Sequence, residues 1–129
     1  MEGSLKLKEI SYIHSESYAA GELKHGTISL VTEDMPVIAV ATQSNLLEKT
    51  ISNVKEVKAR GAKVTVICKE GTEIGKDVAN HLVTLPAMED MLMPMLAAVP
   101  MQYIAYYTAA LKGCDVDQPR NLAKSVTVE

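Results

Sequence analysis

Three charged residues near the start of the chain have the spacing of a single helical face. Glu2, Lys6 and Glu9 are four and three residues apart, so a helix places them side by side. On a protein surface they form ordinary ion pairs, each contributing about a few tenths of a kcal/mol. In a pocket the same set supplies a base, a cation and a second carboxylate, which suits proton transfer between adjacent sugar carbons. The spacing alone leaves both interpretations open.

Two more residues are candidates for the same chemistry. His25 lies in the segment GELKHG, between two glycines, and histidine is the side chain best suited to exchange protons near neutral pH. It is either a solvent-facing loop residue or an acid–base group that opens a sugar ring. Lys124 stands alone in the last residues of the chain. It is either inert or, if held over a pocket, able to hydrogen-bond hydroxyls or meet a carbonyl as an amine.

Motifs of several other catalytic classes are absent from the sequence. It has no GxGxxG, P-loop or GxSxG motif, and no His, Cys and carboxylate cluster with metal spacing. A Ser–His–Asp arrangement stays open. Cys68 and Cys114 are isolated, which predicts two ordinary thiols in a reducing, cytoplasmic setting. We predict neither a metal nor a cofactor.

Composition narrows the class of partner. The chain has 129 residues, which predicts one domain, and a net charge of −3 with no Trp or Phe. These values argue against binding to nucleic acid or to an anionic membrane. Residues 91–111 carry no charge and are long enough to cross a bilayer. Because they are built from Met, Ala, Tyr, Thr and two prolines, we predict a buried core helix instead.

The elements that must position these residues follow a strand–helix order. We predict a first helix over residues 1–20, a second from Ser44 or Asn45 to Arg60, and strands at PVIAVAT, KVTVICK and HLVTLP. This order predicts an α/β fold, a three-layer α/β/α sandwich with a mainly parallel sheet and Rossmann-like topology. Such domains normally open with a strand. This chain opens in a helix, so we expect a fragment that lacks its first strand.

Three stretches resemble a known family. EGSLKLKEISYIHSESYAAGELKHG, NVKEVKARG and DVDQPRNLAKSVTVE are similar to the C-terminal end of the glutamine–fructose-6-phosphate aminotransferases, also called glucosamine-6-phosphate synthases. The first stretch also resembles, more loosely, other sugar isomerase (SIS) domains. The resemblance implies that residues 1–114 are a truncated second SIS domain and that residues 115–129 are a tail covering the sugar site.

The resemblance also implies roles for individual residues. Glu9 would be the base that carries a proton from C1 to C2 of the fructosimine, and Lys6 would stabilise the enolamine-type intermediate. Glu2 would hold the sugar or Lys6. His25 would assist ring opening and reach the neighbouring subunit's site in a homodimer. Lys124 would contact the open-chain sugar from a tail that shields the imine from water.

Partners and alternatives follow from the same resemblance. It implies a sugar phosphate ligand, a cytoplasmic enzyme, and a missing remainder made of a glutaminase domain and a first SIS domain. The isolated chain is therefore expected to be inactive or nearly so. Two alternatives stay open: a non-catalytic SIS module that binds a phosphosugar, and a deglycase-type SIS enzyme that runs similar chemistry backwards.

Overall fold

The computed structural model describes residues 1–120 and divides the chain into two compact units. The sheet unit is Tyr18–Ala97. The end unit combines Met1–Ser17 with the stretch from Ala98 onward, described as far as Arg120. Within each unit the residues contact one another more than they contact the rest of the chain.

A parallel sheet of three strands forms the centre of the sheet unit. Strands β1 (Pro36–Ala41), β2 (Lys63–Lys69) and β3 (His81–Leu85) lie in the order β1-β2-β3. Their register pairs Ala39 with Val66 and Val66 with Leu82. The β-branched run of β2 is buried, as a central strand of a parallel sheet should be. The predicted α/β class, the parallel sheet and all three strand positions are confirmed.

Helix α2 (Leu47–Lys58) connects β1 to β2 and closes the core of this unit. Its apolar stripe faces the sheet: Val54 and Val57 are buried, and Leu47 and Ile51 pack against the same cluster. The predicted stripe is confirmed. The predicted start is not, because a short 3-10 turn (Ser44–Leu46) precedes the helix and no side chain caps its first turn.

The first helix is much shorter than predicted. Helix α1 (Glu2–Lys6) continues as one turn of π-helix (Leu7–Ser11) and stops at Tyr12, whose φ of +57° is left-handed. The prediction of a helix over residues 1–20 is therefore wrong. A left-handed residue turns the chain out of a helix, and the next regular turn is a 3-10 helix (Ala20–His25) in the sheet unit.

Helix α3 (Met93–Leu111) is uncharged along its length and continuous through Pro100. Residues spaced about four apart on one side, such as Met93, Ala97, Ala105 and Ala109, are buried. The opposite side is exposed, so the predicted core helix is buried along one side only. This exposed α3 face consists of Met95, Val99, Tyr103, Tyr106, Tyr107 and Leu111. In the described part of the chain no helix meets the length and apolarity needed to cross a bilayer.

Candidate active site

The three charged residues of the opening helix do form one cluster. The Lys6 ammonium donates a hydrogen bond to Glu9 Oε2 at 2.7 Å and lies 3.8 Å from Glu2 Oε1. Glu9 is the best shielded of the three, with 22% of its side chain exposed, against 34% for Lys6 and 46% for Glu2. The sequence spacing correctly predicted that they share a face. The cluster has one cation between two carboxylates and so a net charge of −1.

The neighbouring carboxylates of Glu9 and Glu2 keep the Lys6 amine protonated. The hydrogen bond that Lys6 donates to Glu9 raises the pKa of Lys6, and the charges of Glu9 and Glu2 add to the increase, while partial burial opposes it. Lys6 is therefore a permanent cation near neutral pH. A protonated amine stabilises developing negative charge on a neighbouring oxygen, but it cannot attack a carbonyl as a free amine.

Packing inside the end unit holds the helix that carries this cluster. Gly3 lies against Met101 of α3, so closely that a Cβ at position 3 would come within 2.9 Å of the Met101 Cβ. Buried Ser4 donates a hydrogen bond to the Ser15 carbonyl at 2.8 Å, and the Ser15 hydroxyl donates one to the Ser4 carbonyl at 2.9 Å. The charged face is thus fixed from the opposite side by a close helix contact and a reciprocal serine pair.

The end of the same helix is tied to the other end of the chain. The Lys112 ammonium donates to the Ser11 carbonyl at 2.6 Å. The Arg120 backbone N–H donates to the Tyr12 hydroxyl oxygen at 3.0 Å, and the Arg120 guanidinium carbon lies 4.1 Å from the centre of the Tyr12 ring. Sequence reasoning missed these contacts, because residues more than 100 positions apart carry no spacing signal.

His25 lies in the sheet unit and is exposed. It is the last residue of the 3-10 helix (Ala20–His25), and 73% of its side chain is accessible. Its Nδ1 is 3.0 Å from Glu22 Oε2. Gly26 follows with φ +137°, a conformation open only to glycine in practice. The predicted exposed, glycine-bounded histidine is confirmed, whereas its role in ring opening stays a prediction.

The remaining site predictions concern Lys124 and metal binding. Lys124 lies outside the described residues. Within residues 1–120, no group of three His, Cys, Asp or Glu side chains could hold a metal ion, and both cysteines are free thiols.

A second polar cluster lies at the carboxyl ends of the strands, where open α/β sheets usually bind ligands. The Asp90 carboxylate accepts hydrogen bonds from the Ser44 N–H at 2.7 Å and the Ser44 hydroxyl at 2.9 Å, and it pairs with the Lys69 ammonium at the end of β2. The bond from Lys69, followed by those from Ser44, holds the pKa of Asp90 below its usual range. At this end of the sheet, the side chains of Ser44, Lys69 and Asp90 therefore bond to one another.

Comparison with known families identifies the family to which the chain belongs. A family model described as the SIS domain matches residues 1–112. The chain belongs to the SIS domain family. Curated relatives extend this match: the glutamine–fructose-6-phosphate aminotransferase [isomerizing] of Clostridium acetobutylicum is 57% identical over the whole chain, and that of Caldanaerobacter subterraneus is 60% identical. The chain spans about a fifth of the length of these relatives, 21% in each case.

Solved structures agree with this SIS domain assignment. The C-terminal domain of glucosamine-fructose-6-phosphate aminotransferase from Francisella tularensis superposes with a TM-score of 0.83 and 43% identity, covering 88% of this chain and 32% of that one. Glucosamine-6-phosphate deaminase from Thermotoga maritima gives a TM-score of 0.74 and 28% identity, covering 98% of this chain and 35% of that one.

Proposed function

We propose that this chain is the isomerase portion of an enzyme that converts fructose 6-phosphate and glutamine to glucosamine 6-phosphate and glutamate. The observation that carries the proposal is the Lys6 ammonium between Glu9 and Glu2, on the opening helix of an SIS domain. Relatives that are 54–60% identical over the whole chain carry the aminotransferase name. Because the chain spans only 21% of them, the activity of the whole enzyme is part of the proposal.

Each charged residue of the cluster has its own role in the proposed reaction. Glu9 removes the proton from C1 of the fructosimine, which forms a C1=C2 double bond while the C2=N electrons move to nitrogen. The nitrogen takes up one proton to become an amine, the proton removed from C1 is returned to C2, and the C1 hydroxyl loses its proton as C1=O forms. The proton lost from the hydroxyl balances the one gained by nitrogen, and the product is the amino aldose. Lys6 stabilises negative charge that develops near C1 and C2 during the transfer. Glu2 keeps the Lys6 ammonium on this face and hydrogen-bonds the sugar hydroxyls.

Two further groups complete the proposed site. His25 is an exposed residue at the end of a 3-10 helix and is followed by Gly26, and we assign it to ring opening at the site of a neighbouring subunit in a cytoplasmic homodimer. Lys124, carried by the tail of residues 115–129, contacts the open-chain sugar while the tail excludes water from the imine. The high exposure of His25 supports its assignment, because a group that serves a second subunit must project from its own.

Substitution of the base tests the proposal. In an enzyme of the relatives' full length, Glu9→Gln should abolish glucosamine 6-phosphate formation while the Kd for fructose 6-phosphate stays within about tenfold, because the amide keeps the shape but not the base. Glu48→Gln, an exposed glutamate at the start of α2, is the matched control and should leave both quantities unchanged. Retained synthesis in the Glu9→Gln enzyme would contradict the assignment.

The deaminase similarity supports a second candidate. A deglycase-type enzyme would use the same base in the opposite direction, from aldose amine to ketose. The 28% identity to the deaminase is well below the 43% to the aminotransferase domain, so we favour synthesis. Net conversion of glucosamine 6-phosphate to fructose 6-phosphate and ammonia, with no requirement for glutamine, would instead favour the second candidate.

A further inference from the structure

The carboxyl end of the parallel sheet carries a hydroxyl and an ammonium group beside neighbouring strands. Ser44 follows β1, which ends at Ala41, and Lys69 is the last residue of β2. The register pairs Ala41 with Cys68, so both side chains follow adjacent strand ends. Ligands of open α/β sheets usually bind in the crevice at this end. Ser44 and Lys69 therefore lie where a ligand would ordinarily be expected.

The donors of these two residues converge on one carboxylate. The Ser44 N–H donates to Asp90 Oδ2 at 2.7 Å, and the Ser44 hydroxyl donates to Asp90 Oδ1 at 2.9 Å. The Lys69 ammonium donates to the same Oδ1 and lies 3.3 Å from the Ser44 hydroxyl oxygen. Such donors bind carboxylates and phosphate groups through charge-assisted hydrogen bonds. The Asp90 carboxylate thus has the surroundings of a bound oxyanion.

This carboxylate belongs to a segment that is remote in sequence from its donors. Asp90 lies between β3 and α3, 46 and 21 residues away from its two partners. The main chain of this segment is held separately, because Gln43 Nε2 donates to the Asp90 carbonyl at 2.8 Å. The Leu92 N–H also donates to the Glu89 carbonyl at 2.9 Å. Removing the carboxylate alone therefore leaves the segment attached beside the freed donors.

The attached carboxylate has an advantage over anions in solution. It covers an ammonium that is well shielded, since 17% of the Lys69 side chain is exposed against 33% for Asp90. A free anion would have to displace a group on the same chain, whose effective concentration is about millimolar or higher. The negative charge of Asp90 also repels a second anion. Free phosphate groups are therefore excluded while this carboxylate is in place.

We propose that Asp90 acts as an internal anion, which occupies an oxyanion-binding group of donors at the carboxyl end of the sheet. Asp90 is thus a specificity-determining residue, because its carboxylate closes this end of the sheet unit to phosphate groups. The inference goes beyond the proposed function: the cluster of Ser44, Lys69 and Asp90 shares no residue with the Lys6 cluster and requires no catalytic step.

Titration with inorganic phosphate tests the proposal in the chain of 129 residues. Because Asp90→Ala removes the carboxylate, the Ser44 amide resonance should shift saturably with phosphate at an ionic strength held constant with chloride. The Kd for phosphate should be at least about tenfold lower than in wild type. Asp77→Ala is the matched control, since Asp77 also pairs with a lysine but is more exposed. It should bind phosphate no better than wild type. A folded Asp90→Ala chain without this gain would overturn the proposal.

A double variant tests the assigned donors. Adding Lys69→Met to Asp90→Ala keeps a long side chain but removes the ammonium, so the gained phosphate affinity should fall by about tenfold or more. Adding Lys55→Met instead, which removes a more exposed lysine of α2, should leave the gained affinity unchanged. Equal phosphate binding by Asp90→Ala with and without Lys69→Met would show that these donors do not form the group that Asp90 occupies.

Hydrogen exchange in Asp90→Asn remains decisive if Asp90→Ala does not fold. The amide keeps the shape of the carboxylate but not its charge, and charge-assisted hydrogen bonds are roughly twice as strong as neutral ones. Exchange of the Ser44 amide should therefore quicken about fivefold relative to wild type. Asp77→Asn should leave it unchanged. Equal Ser44 exchange in Asp90→Asn and wild type would mean that Asp90 does not act there as an anion.

Discussion

Lys6 is the residue on which the charged cluster depends. It is the only cation in contact with Glu9 and Glu2 among the described residues, and their proximity raises its pKa. A carboxylate base works best when the charge that it creates on the substrate is stabilised nearby. The cation therefore serves both the fold, by joining two like charges, and the proposed reaction.

Replacing this cation should affect activity more than binding. In the full-length enzyme we expect Lys6→Met to lower kcat by about 10²–10³, the usual cost of losing one group that stabilises developing negative charge. Sugar binding, measured by calorimetry, should change little. Lys49→Met, an exposed lysine of α2, is the control. A kcat within a factor of about two of wild type would contradict a catalytic role for the ammonium.

The same pKa shift predicts a pH dependence of stability. Because the folded pKa of Lys6 lies above its ordinary value of 10.5, the charged form stabilises the fold at all pH values below that. The contribution is lost as pH rises through the folded pKa. The free energy of unfolding of wild type should therefore exceed that of Lys6→Met near neutral pH, and the difference should shrink above about pH 10.5. A constant difference would contradict the ion pairing.

Among the elements, the strands and α2 were predictable and the first helix was not. Runs such as KVTVICK are short, β-branched and apolar, and a buried parallel strand is the one element that suits them. The π-helical turn that follows α1 ends instead where Tyr12 contacts Arg120 and Lys112 contacts Ser11. These contacts join residues that are far apart in the sequence, so local sequence patterns do not predict them.

The contact between α1 and α3 should tolerate no added carbon. Gly3→Ala places a Cβ within 2.9 Å of the Met101 Cβ, which cannot move without shifting the α3 backbone. We expect the free energy of unfolding to fall by about 1–3 kcal/mol, measured by urea titration. Gly21→Ala meets no atom within 4 Å and is the matched control. A neutral Gly3→Ala would mean that the two helices are not in close contact.

The Asp90 network joins the ends of β1 and β2 to the segment that leads into α3. Its depressed pKa means that the carboxylate stabilises the fold above its unfolded pKa of about 3.9 and that this contribution is lost as pH falls through the folded value. Wild type should thus be more stable than Asp90→Asn at pH 6, and the difference should vanish towards pH 2. Asp117→Asn should show no such convergence. A pH-independent difference would contradict the network.

At the scale of the whole molecule, the chain corresponds to only part of the length of its relatives. It spans 21% of its curated relatives, and the α3 face exposes apolar side chains along a helix of 19 residues. The charge-free sequence of residues 91–111 predicted a buried core helix, but only one side of α3 is buried. A sequence pattern does not distinguish an apolar face that is packed in a core from one that is exposed.

The isolated chain should therefore show an uncovered surface and no catalysis. We expect it to bind an apolar fluorescent dye, and Val99→Glu with Tyr103→Glu should reduce that fluorescence by about half or more. Lys49→Glu on α2 is the control. Glucosamine 6-phosphate formation by the isolated chain should stay at background. A measurable rate would contradict the need for the rest of the enzyme.

The end unit combines residues from the start of the chain with residues from Ala98 onward, so its two parts are synthesised at different times. Gly3, Ser11 and Tyr12 contact residues about 100 positions later, so none of these contacts exists until residues 101–120 have left the ribosome. At roughly 5–20 residues per second, the nascent opening helix waits about 5–20 s for its partners, while all three strands emerge in between. The end unit can therefore form only after the residues between its two parts, Tyr18–Ala97, have been synthesised and closed into a loop.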